Sequence, residues 1–148
     1  EAIIKAIDAG RIMLAADSVG ASQVMIDKSV EYAKERKQFG RVIGSFQAVK
    51  HMCAEMAAEL EPCYAIVWHA AHCFSHIPDE ARLMACQSKS HVSEVSKMVS
   101  KKATEVHGGM GFTDLLGLHY WFKRIGMNRQ LLGSPELVRD EAGKIQGF

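Results

Sequence analysis

The sequence predicts an all-α protein, an up-and-down four-helix bundle with a short extra C-terminal helix, in a single helical domain covering residues 1–148. Apolar residues recur at three- and four-residue steps over three long stretches, which is the period of a helix with one buried face. Only short turns separate these stretches, and no alternating strand pattern is evident. Helices joined by short turns pack as antiparallel neighbours, so the stretches predict a bundle.

The first half of the chain contains two long predicted helices. The first runs from Ala2 to about Lys37. The second is expected from Ser45, a candidate N-cap, to about His76. Pro62 lies inside the second helix and removes a backbone donor there, so it predicts a kink.

The second half adds a third long helix and two shorter ones. Pro78 suits the first turn of the third helix, whose serine- and lysine-rich face we expect to be solvated. The glycines of "HGGMGF" break the pattern, and an amphipathic helix follows from about Leu116 to Leu132. Ser134 as N-cap and Pro135 as the first helical residue predict a short last helix.

Composition excludes several classes of protein. The chain is 48% hydrophobic and 24% charged, as in globular domains, and its net charge of +1 argues against a nucleic-acid binder. No apolar run approaches the roughly 20 residues of a membrane span. Four cysteines without a C-x-x-C motif are interpreted as reduced, packed thiols, which favours a reducing compartment. The chain begins at Glu1 without a signal-peptide pattern, and we expect a fragment or a processed product.

Three histidines near the end of the second helix form a stripe. His69, His72 and His76 lie on one helix face with Cys73 adjacent, and imidazoles one turn apart can share a metal ion. No H-E-x-x-H motif accompanies them. The favoured interpretation is a set of amphipathic residues near a helix end, where histidine suits the dipole. No metal site is assigned, and a metal-binding bundle stays as an alternative.

The turn between the first two helices, within "ERKQFGRVIGSFQAVK", is basic, amide-rich and aromatic. Arg36 can bind a phosphate or carboxylate through two parallel hydrogen bonds. Gln38 and Gln47 offer amide donors, and Phe39 and Phe46 offer flat apolar faces. The turn therefore predicts a binding site for a planar, phosphorylated ligand. The alternative is a solvated turn with Phe39 tucked under it as a hydrophobic plug.

Three separated segments resemble those of the acyl-CoA dehydrogenases: "AIDAGRIMLAADSVG", "YAKERKQFGRVIGSFQAVK" and "EVHGGMGFTD". The resemblance spans nearly the whole chain and is to the C-terminal α-helical domain, so two upstream domains of the family are absent here. It implies an FAD enzyme that introduces a C2–C3 double bond into an acyl-CoA thioester. It also implies electron transfer to an electron-transferring flavoprotein or a similar acceptor, a homo- or hetero-oligomer, and a cytoplasmic or mitochondrial-matrix location.

The resemblance also assigns binding residues. In the family, the R-x-x-F-G turn reaches the FAD of a neighbouring subunit, the glycine break lies along the pyrophosphate, and a segment before the last helix completes the nucleotide site. The FAD contacts so implied are Arg36, Lys37, Gln38, Phe46, Gln47, Glu105, Val106, His107, Gly108, Gly109, Ser134, Pro135 and Glu136. The residues implied to contact the acyl-CoA are Asp8, Arg11 and Gly133.

Several positions depart from the family pattern. Glu105 stands where many members have glutamine, and a carboxylate repels a diphosphate; Pro135 lacks a backbone donor. The reaction needs a carboxylate that removes the α-proton. Most members place that glutamate where this chain has Leu132, and others place it where this chain has Gly10. Both positions lack a carboxylate.

Three explanations stay open. The chain belongs to a non-catalytic subunit type whose partner supplies the base; or another carboxylate serves, with Glu136 and Asp8 as candidates; or the register beyond Gly117 is shifted by a few residues. A non-enzymatic oligomerisation module of the same fold is the alternative function. The isolated domain is expected to fold, to bind FAD poorly and to be inactive.

Overall fold

Five α-helices form the molecule in the computed structural model, which describes residues 2–148, and the prediction of an all-α bundle with a short extra C-terminal helix is confirmed. A β-hairpin joins the first two helices; each of its two strands has two residues, and the sequence pattern did not predict it. The helices are α1 (Ala2–Glu35), α2 (Gln47–His76), α3 (Pro78–His107), α4 (Leu118–Gln130) and α5 (Pro135–Ile145). The strands are β1 (Lys37–Gln38) and β2 (Arg41–Val42), and 3₁₀ turns cover Ile43–Ser45 and Gly108–Phe112.

Helix α3 is the central helix of the bundle and contacts each of the other four. The main core lies between α1, α2 and α3, where Met25, Met56, Leu60, Val92 and Val99 are at most 1% exposed. Burying each such side chain contributes about 1.5–3 kcal/mol. This core holds the long helices together. The two candidate binding surfaces described below, the hairpin cavity and the turn before α5, lie at the ends of these helices.

The serines of α3 are buried, so the prediction of a solvated serine- and lysine-rich face was wrong for the serines, whereas Lys101 is exposed. Ser88, Ser96 and Ser100 are each at most 3% exposed. Their hydroxyls donate to backbone carbonyl oxygens at 3.1, 3.4 and 2.9 Å, and the acceptor for Ser96 is Ser18 of α1. A hydroxyl satisfied in this way can be buried, and the small side chain lets neighbouring helices approach closely.

Lys89 is the largest fully buried side chain of the described residues, at 1% exposure. Its Nζ donates to the backbone oxygens of Asn128 and Arg129 at 2.7 and 3.0 Å and to Ser93 Oγ at 3.3 Å. The two carbonyls lie at the C-terminal end of α4, where backbone oxygens lack helical partners. Burial lowers the pKa of Lys89 to about 8, and the charges of Arg11 and Arg129 act in the same direction.

Local signals at the helix ends were partly right. Pro78 begins α3 as predicted, and Ser134 caps α5 by accepting a hydrogen bond from the Leu137 amide. The N-cap prediction for Ser45 was wrong: Ser45 Oγ donates to the carbonyl oxygen of Val42 inside the 3₁₀ turn, and α2 begins two residues later. Helix α2 continues through Pro62. Within residues 2–148, no helix is long and apolar enough to cross a membrane.

Candidate functional site

The turn between α1 and α2 is a tight β-hairpin whose tip projects into solvent. Phe39 and Gly40 take positive φ values of 53° and 77°, as a two-residue turn with right-handed strand twist requires. Phe39 is 91% exposed, so the alternative of a buried hydrophobic plug is wrong. The Phe39 and Phe46 rings meet edge to face at 6.1 Å between centroids, and the Arg41 guanidinium lies 4.1 Å from the Phe46 centroid.

The hairpin and the glycine break line one open cavity of about 430 Å³. Of the residues predicted to bind FAD, this cavity brings together Arg36 and Gln38 with the segment 105–109. Arg36 is exposed, and its guanidinium has no partner among residues 2–148. Lys37 and Gln47 are exposed beside the cavity without lining it, and the Gln38 amide donates to the Lys37 carbonyl oxygen at 2.8 Å.

The glycine break gives the cavity an accessible backbone wall. Gly108 has a φ of 57°, and a Cβ added at Gly108 or Gly109 would meet no atom within 4 Å. A ligand can therefore approach this backbone more closely than a side chain would permit. Gly111 has a different role, because an added Cβ would lie 3.0 Å from the Thr104 carbonyl oxygen.

His107 forms a rigid part of the same wall. Its ring is 4% exposed and stacks on Tyr32 at 4.6 Å between centroids. Nδ1 lies 2.7 Å from the carbonyl oxygen of Ala103; since a carbonyl only accepts, Nδ1 carries the proton. Burial lowers the pKa of His107, so the imidazole is neutral near pH 7. Glu105, in contrast, is exposed at the cavity rim.

Asp8 and Arg11, predicted to contact acyl-CoA, are the buried members of an ionic network whose other members, Arg82 and Glu141, are partly exposed. They are 4% and 5% exposed. Arg11 donates to Glu141 at 2.8 Å and to the Leu132 carbonyl oxygen at 3.0 Å, while Arg82 pairs with both Asp8 and Glu141. Burial raises the pKa of Asp8 against the opposing effect of the two arginines. Sequence reasoning missed Arg82 and Glu141, because nothing local links them to the first helix.

The two positions at which the family places its catalytic glutamate are in contact. A Cβ added at Gly10 would overlap Leu132 Cδ1, so the leucine side chain lies directly over the glycine. Leu132 has a φ of 56° and the following Gly133 a φ of 109°. A Cβ at Gly133 would lie 2.9 Å from Val138 and 3.6 Å from the Arg11 guanidinium. This turn therefore fixes an apolar side chain beside the buried ionic network.

Ser134, Pro135 and Glu136 do not line the hairpin cavity. They form the first turn of α5, where the Glu136 carboxylate lies 2.7 Å from Arg129, which also pairs with Glu94. Hydrogen bonds from Ser134, from the Glu136 backbone and from Arg129 lower the pKa of Glu136 to about 2. A carboxylate with so low a pKa is a weak proton acceptor near neutral pH.

The histidine stripe of α2 divides into two parts. His72 and His76 contact each other, with 4.7 Å between ring centroids. His69 instead meets Cys73 of α2 and Glu80 of α3, and one ligand atom from each of these three lies within 4.8 Å of the others. Glu80 escaped the sequence analysis because it lies beyond the corner, in the next helix.

A helical bundle with this hairpin and this glycine break is the C-terminal domain of the acyl-CoA dehydrogenases. The family described as "Acyl-CoA dehydrogenase, C-terminal domain" matches residues 1–145, and the chain belongs to that family. The caffeyl-CoA reductase–Etf complex subunit CarC of Acetobacterium woodii is 38% identical over 109 residues, 74% of this chain and 28% of the relative.

Two further comparisons agree. Acyl-CoA dehydrogenase IpdE2 of Mycobacterium tuberculosis is 37% identical over 131 residues, 88% of this chain and 39% of the relative. The structure of butyryl-CoA dehydrogenase from Megasphaera elsdenii superposes with a TM-score of 0.90 at 25% identity, covering 97% of this chain and 37% of that one. The chain thus spans well under half the length of the proteins that it resembles.

Proposed function

We propose that this chain is the C-terminal domain of an FAD-dependent acyl-CoA dehydrogenase and that it contributes FAD contacts at a subunit interface. The observation that carries the proposal is the shared cavity of the hairpin and the glycine break. Segments that the resemblance assigns to one nucleotide lie some 70 residues apart in the chain and meet there. When bound, a flavin would accept a hydride from C3 of the acyl group.

The side chains of the cavity fit a flavin nucleotide. Arg36 presents a guanidinium that no other residue in the described range 2–148 binds and that is suited to a phosphate. The open backbone at Gly108 and Gly109 admits a pyrophosphate. The exposed Phe39 ring does not line the cavity but offers a flat apolar surface at the tip of the hairpin. The Glu105 carboxylate at the cavity rim repels an anionic ligand. We therefore expect weaker FAD binding than in family members that have glutamine at this position.

Flavin content of the intact parent protein tests this proposal. The wild-type parent should purify with bound flavin, and Arg36→Ala should weaken FAD binding about tenfold or more, because a charge-assisted contact of about 1.5–3 kcal/mol is lost. Arg139→Ala, at an exposed arginine of α5, is the matched control and should bind normally. A parent protein that contains no flavin would refute the proposal.

For the base, the geometry favours a non-catalytic subunit type whose partner supplies the carboxylate. In the family, the two positions of the glutamate serve the same reacting carbon. If residues beyond Gly117 are aligned correctly with the family pattern, Gly10 and Leu132 should therefore lie together, and they do. This contact therefore speaks against a shift of register. An apolar side chain occupies the position, and hydrogen bonds from Ser134, from the backbone and from Arg129 keep Glu136 ionised. Asp8 is buried against Arg82.

Anaerobic addition of acyl-CoAs to the parent protein distinguishes these explanations. We expect the flavin of the wild type to stay oxidised. Leu132→Glu should allow bleaching, since residue 132 is the position at which the resemblance places the glutamate and its side chain contacts Gly10, the other such position, whereas Leu131→Glu, one residue away, should not. Bleaching of the wild type would mean that the polypeptide contains its own base, and Glu136→Gln and Asp8→Asn would then identify it.

An electron-transferring flavoprotein, or a similar acceptor, is the proposed redox partner. The name of the relative CarC places that protein in a reductase–Etf complex, which supports the same arrangement for this chain within a homo- or hetero-oligomer. A cytoplasmic or mitochondrial-matrix location remains part of the proposal. Reduction of purified electron-transferring flavoprotein by the substrate-loaded complex tests the proposed redox partner.

A non-enzymatic oligomerisation module is the second candidate, and one observation favours it. Asp8 and Arg11, expected to contact acyl-CoA, are engaged by Arg82 and Glu141 inside the bundle. Neither is free to bind a ligand without breaking an ion pair. Turnover of acyl-CoA by the homo-oligomer of the parent protein would eliminate this candidate.

A further inference from the structure

The corner between α2 and α3 contains a cluster of metal-ligand side chains outside the flavin cavity. His69 and Cys73 are one turn apart on α2, and Glu80 lies in the first turn of α3. Cys73 Sγ lies 3.6 Å from His69 Nε2 and 3.9 Å from Glu80 Oε2. We propose that these three residues bind Zn²⁺, with a water molecule as the fourth ligand.

The distances match those of a tetrahedral site. Zn–S bonds of about 2.3 Å and Zn–N bonds of about 2.0–2.1 Å put a thiolate sulfur and an imidazole nitrogen about 3.5 Å apart. The observed separation of Cys73 and His69 is 3.6 Å, so this pair needs no rearrangement. Glu80 Oε2 lies 3.9 Å from the sulfur, and the ligand atoms of His69 and Glu80 lie within 4.8 Å of each other, so the exposed Glu80 side chain closes the site by a change of rotamer.

The backbone that carries two of the ligands is fixed before an ion arrives. A single residue, Ile77, connects the helices. Its amide donates to the Cys73 carbonyl oxygen at 2.8 Å, and its carbonyl oxygen accepts from the Glu80 amide at 3.0 Å. Pro78 restricts the backbone at the first position of α3. Metal binding therefore requires ordering of the His69 and Glu80 side chains but not of the backbone at this corner.

Charge and donor chemistry select a borderline-soft divalent ion. Nitrogen, sulfur and carboxylate oxygen together suit Zn²⁺ better than Mg²⁺ or Ca²⁺. No cation among residues 2–148 pairs with Glu80. His69 and Glu80 are exposed, while Cys73 is fully buried behind them, which leaves a route from solvent. On binding, the Cys73 thiol releases its proton to solvent, and thiolate and carboxylate together neutralise the ion.

Cobalt binding provides the test. The chain is stripped with a chelator and titrated with Co²⁺, a spectroscopic substitute for Zn²⁺. We expect one equivalent to produce thiolate-to-cobalt charge-transfer absorption and tetrahedral ligand-field bands, which Zn²⁺ then removes. Glu80→Gln and His69→Gln change exposed residues, so they should fold and bind about tenfold or more weakly. Cys73→Ser should abolish the charge-transfer band.

Two control variants separate this site from other ligands. His76→Gln removes a member of the neighbouring histidine pair, and Cys53→Ser removes another partly accessible thiol; both should leave the cobalt spectrum unchanged. The proposal is overturned if the wild type gives no charge-transfer band, or if Glu80→Gln and His69→Gln bind Co²⁺ as tightly as the wild type. Equal weakening by His76→Gln would also overturn it, because the surface histidines would then be the ligands.

Discussion

Replacement of the buried Lys89 by methionine should reveal what its ammonium group does. Methionine keeps a stem of similar length but leaves two backbone oxygens, of Asn128 and Arg129, without the donor they now have. Each unsatisfied carbonyl costs about 1–3 kcal/mol. Against this, the pKa of Lys89, lowered from 10.5 to about 8, corresponds to a cost of about 3 kcal/mol for burying the charge. Near pH 7 we therefore expect Lys89→Met to destabilise the chain by only about 1 kcal/mol.

The pH dependence makes the prediction specific. Between pH 8 and 10.5 the unfolded chain holds a proton on Lys89 that the folded chain has released, so wild-type stability rises with pH in this window. The neutral amine still has two N–H donors for the two carbonyls. The stability difference between wild type and Lys89→Met should thus grow by about 3 kcal/mol from pH 7 to 10.5.

Urea unfolding followed by helix circular dichroism at several pH values measures this difference. Subtracting the variant from the wild type removes the titration of all groups that the substitution leaves alone. Lys101→Met, at an exposed position of the same helix, is the control and should show no pH-dependent difference. A difference for Lys89→Met that stays flat or shrinks as the pH rises would refute the assigned charge cost.

Two further predictions concern the turn before α5 and the ionic network beside it. Gly133→Ala should lower stability by about 1–3 kcal/mol, because an alanine is strained at a φ of 109° and its Cβ would approach Val138; Gly143→Ala, inside α5 where an added Cβ meets nothing, should not lower it in the same thermal melts. Hydrogen bonding from Arg11 lowers the pKa of Glu141 below its ordinary value of 4.5. Ionised Glu141 therefore contributes to folding stability above pH 4.5, and this contribution is lost as the pH falls. Glu141→Gln should therefore destabilise the chain at pH 7 and progressively less in acid, and a pH-independent loss would contradict this account.

The bundle could be predicted from the sequence because helical periodicity and turn signals are local. Pro78 begins α3 and Ser134 caps α5, and both predictions are confirmed because each residue acts at its own position in the chain. The hairpin was missed because strands of two residues are too short to show alternation. The basic and aromatic composition of the turn nevertheless predicts a binding site from the sequence alone, and this stays a prediction that does not depend on the backbone conformation.

Burial on α3 could not be predicted because it depends on how many neighbours surround a helix. A row of serines indicates a solvent-exposed face on a helix that packs against its neighbours on one side only. When several helices surround one helix, as they surround α3 near Ser96, serine packs like a small apolar residue and hydrogen-bonds to a carbonyl. The burial of Lys89 depends on the free carbonyls at the end of α4, some 40 residues away in the chain.

The residues implied to bind FAD fall on two surfaces of this chain rather than one. Arg36 and the segment 105–109 line the hairpin cavity. Ser134 caps α5 beside the turn formed by Leu132 and Gly133, where Gly133 lies close to Arg11 and the Leu132 side chain meets Gly10. Under the proposed function, a neighbouring subunit resolves this separation, because the hairpin of one copy and the α5 turn of another can then serve the same nucleotide. In a hetero-oligomer the two surfaces of a chain would belong to different flavin sites. A chain with Leu132 at the base position could then still support catalysis at its partner's site through its hairpin.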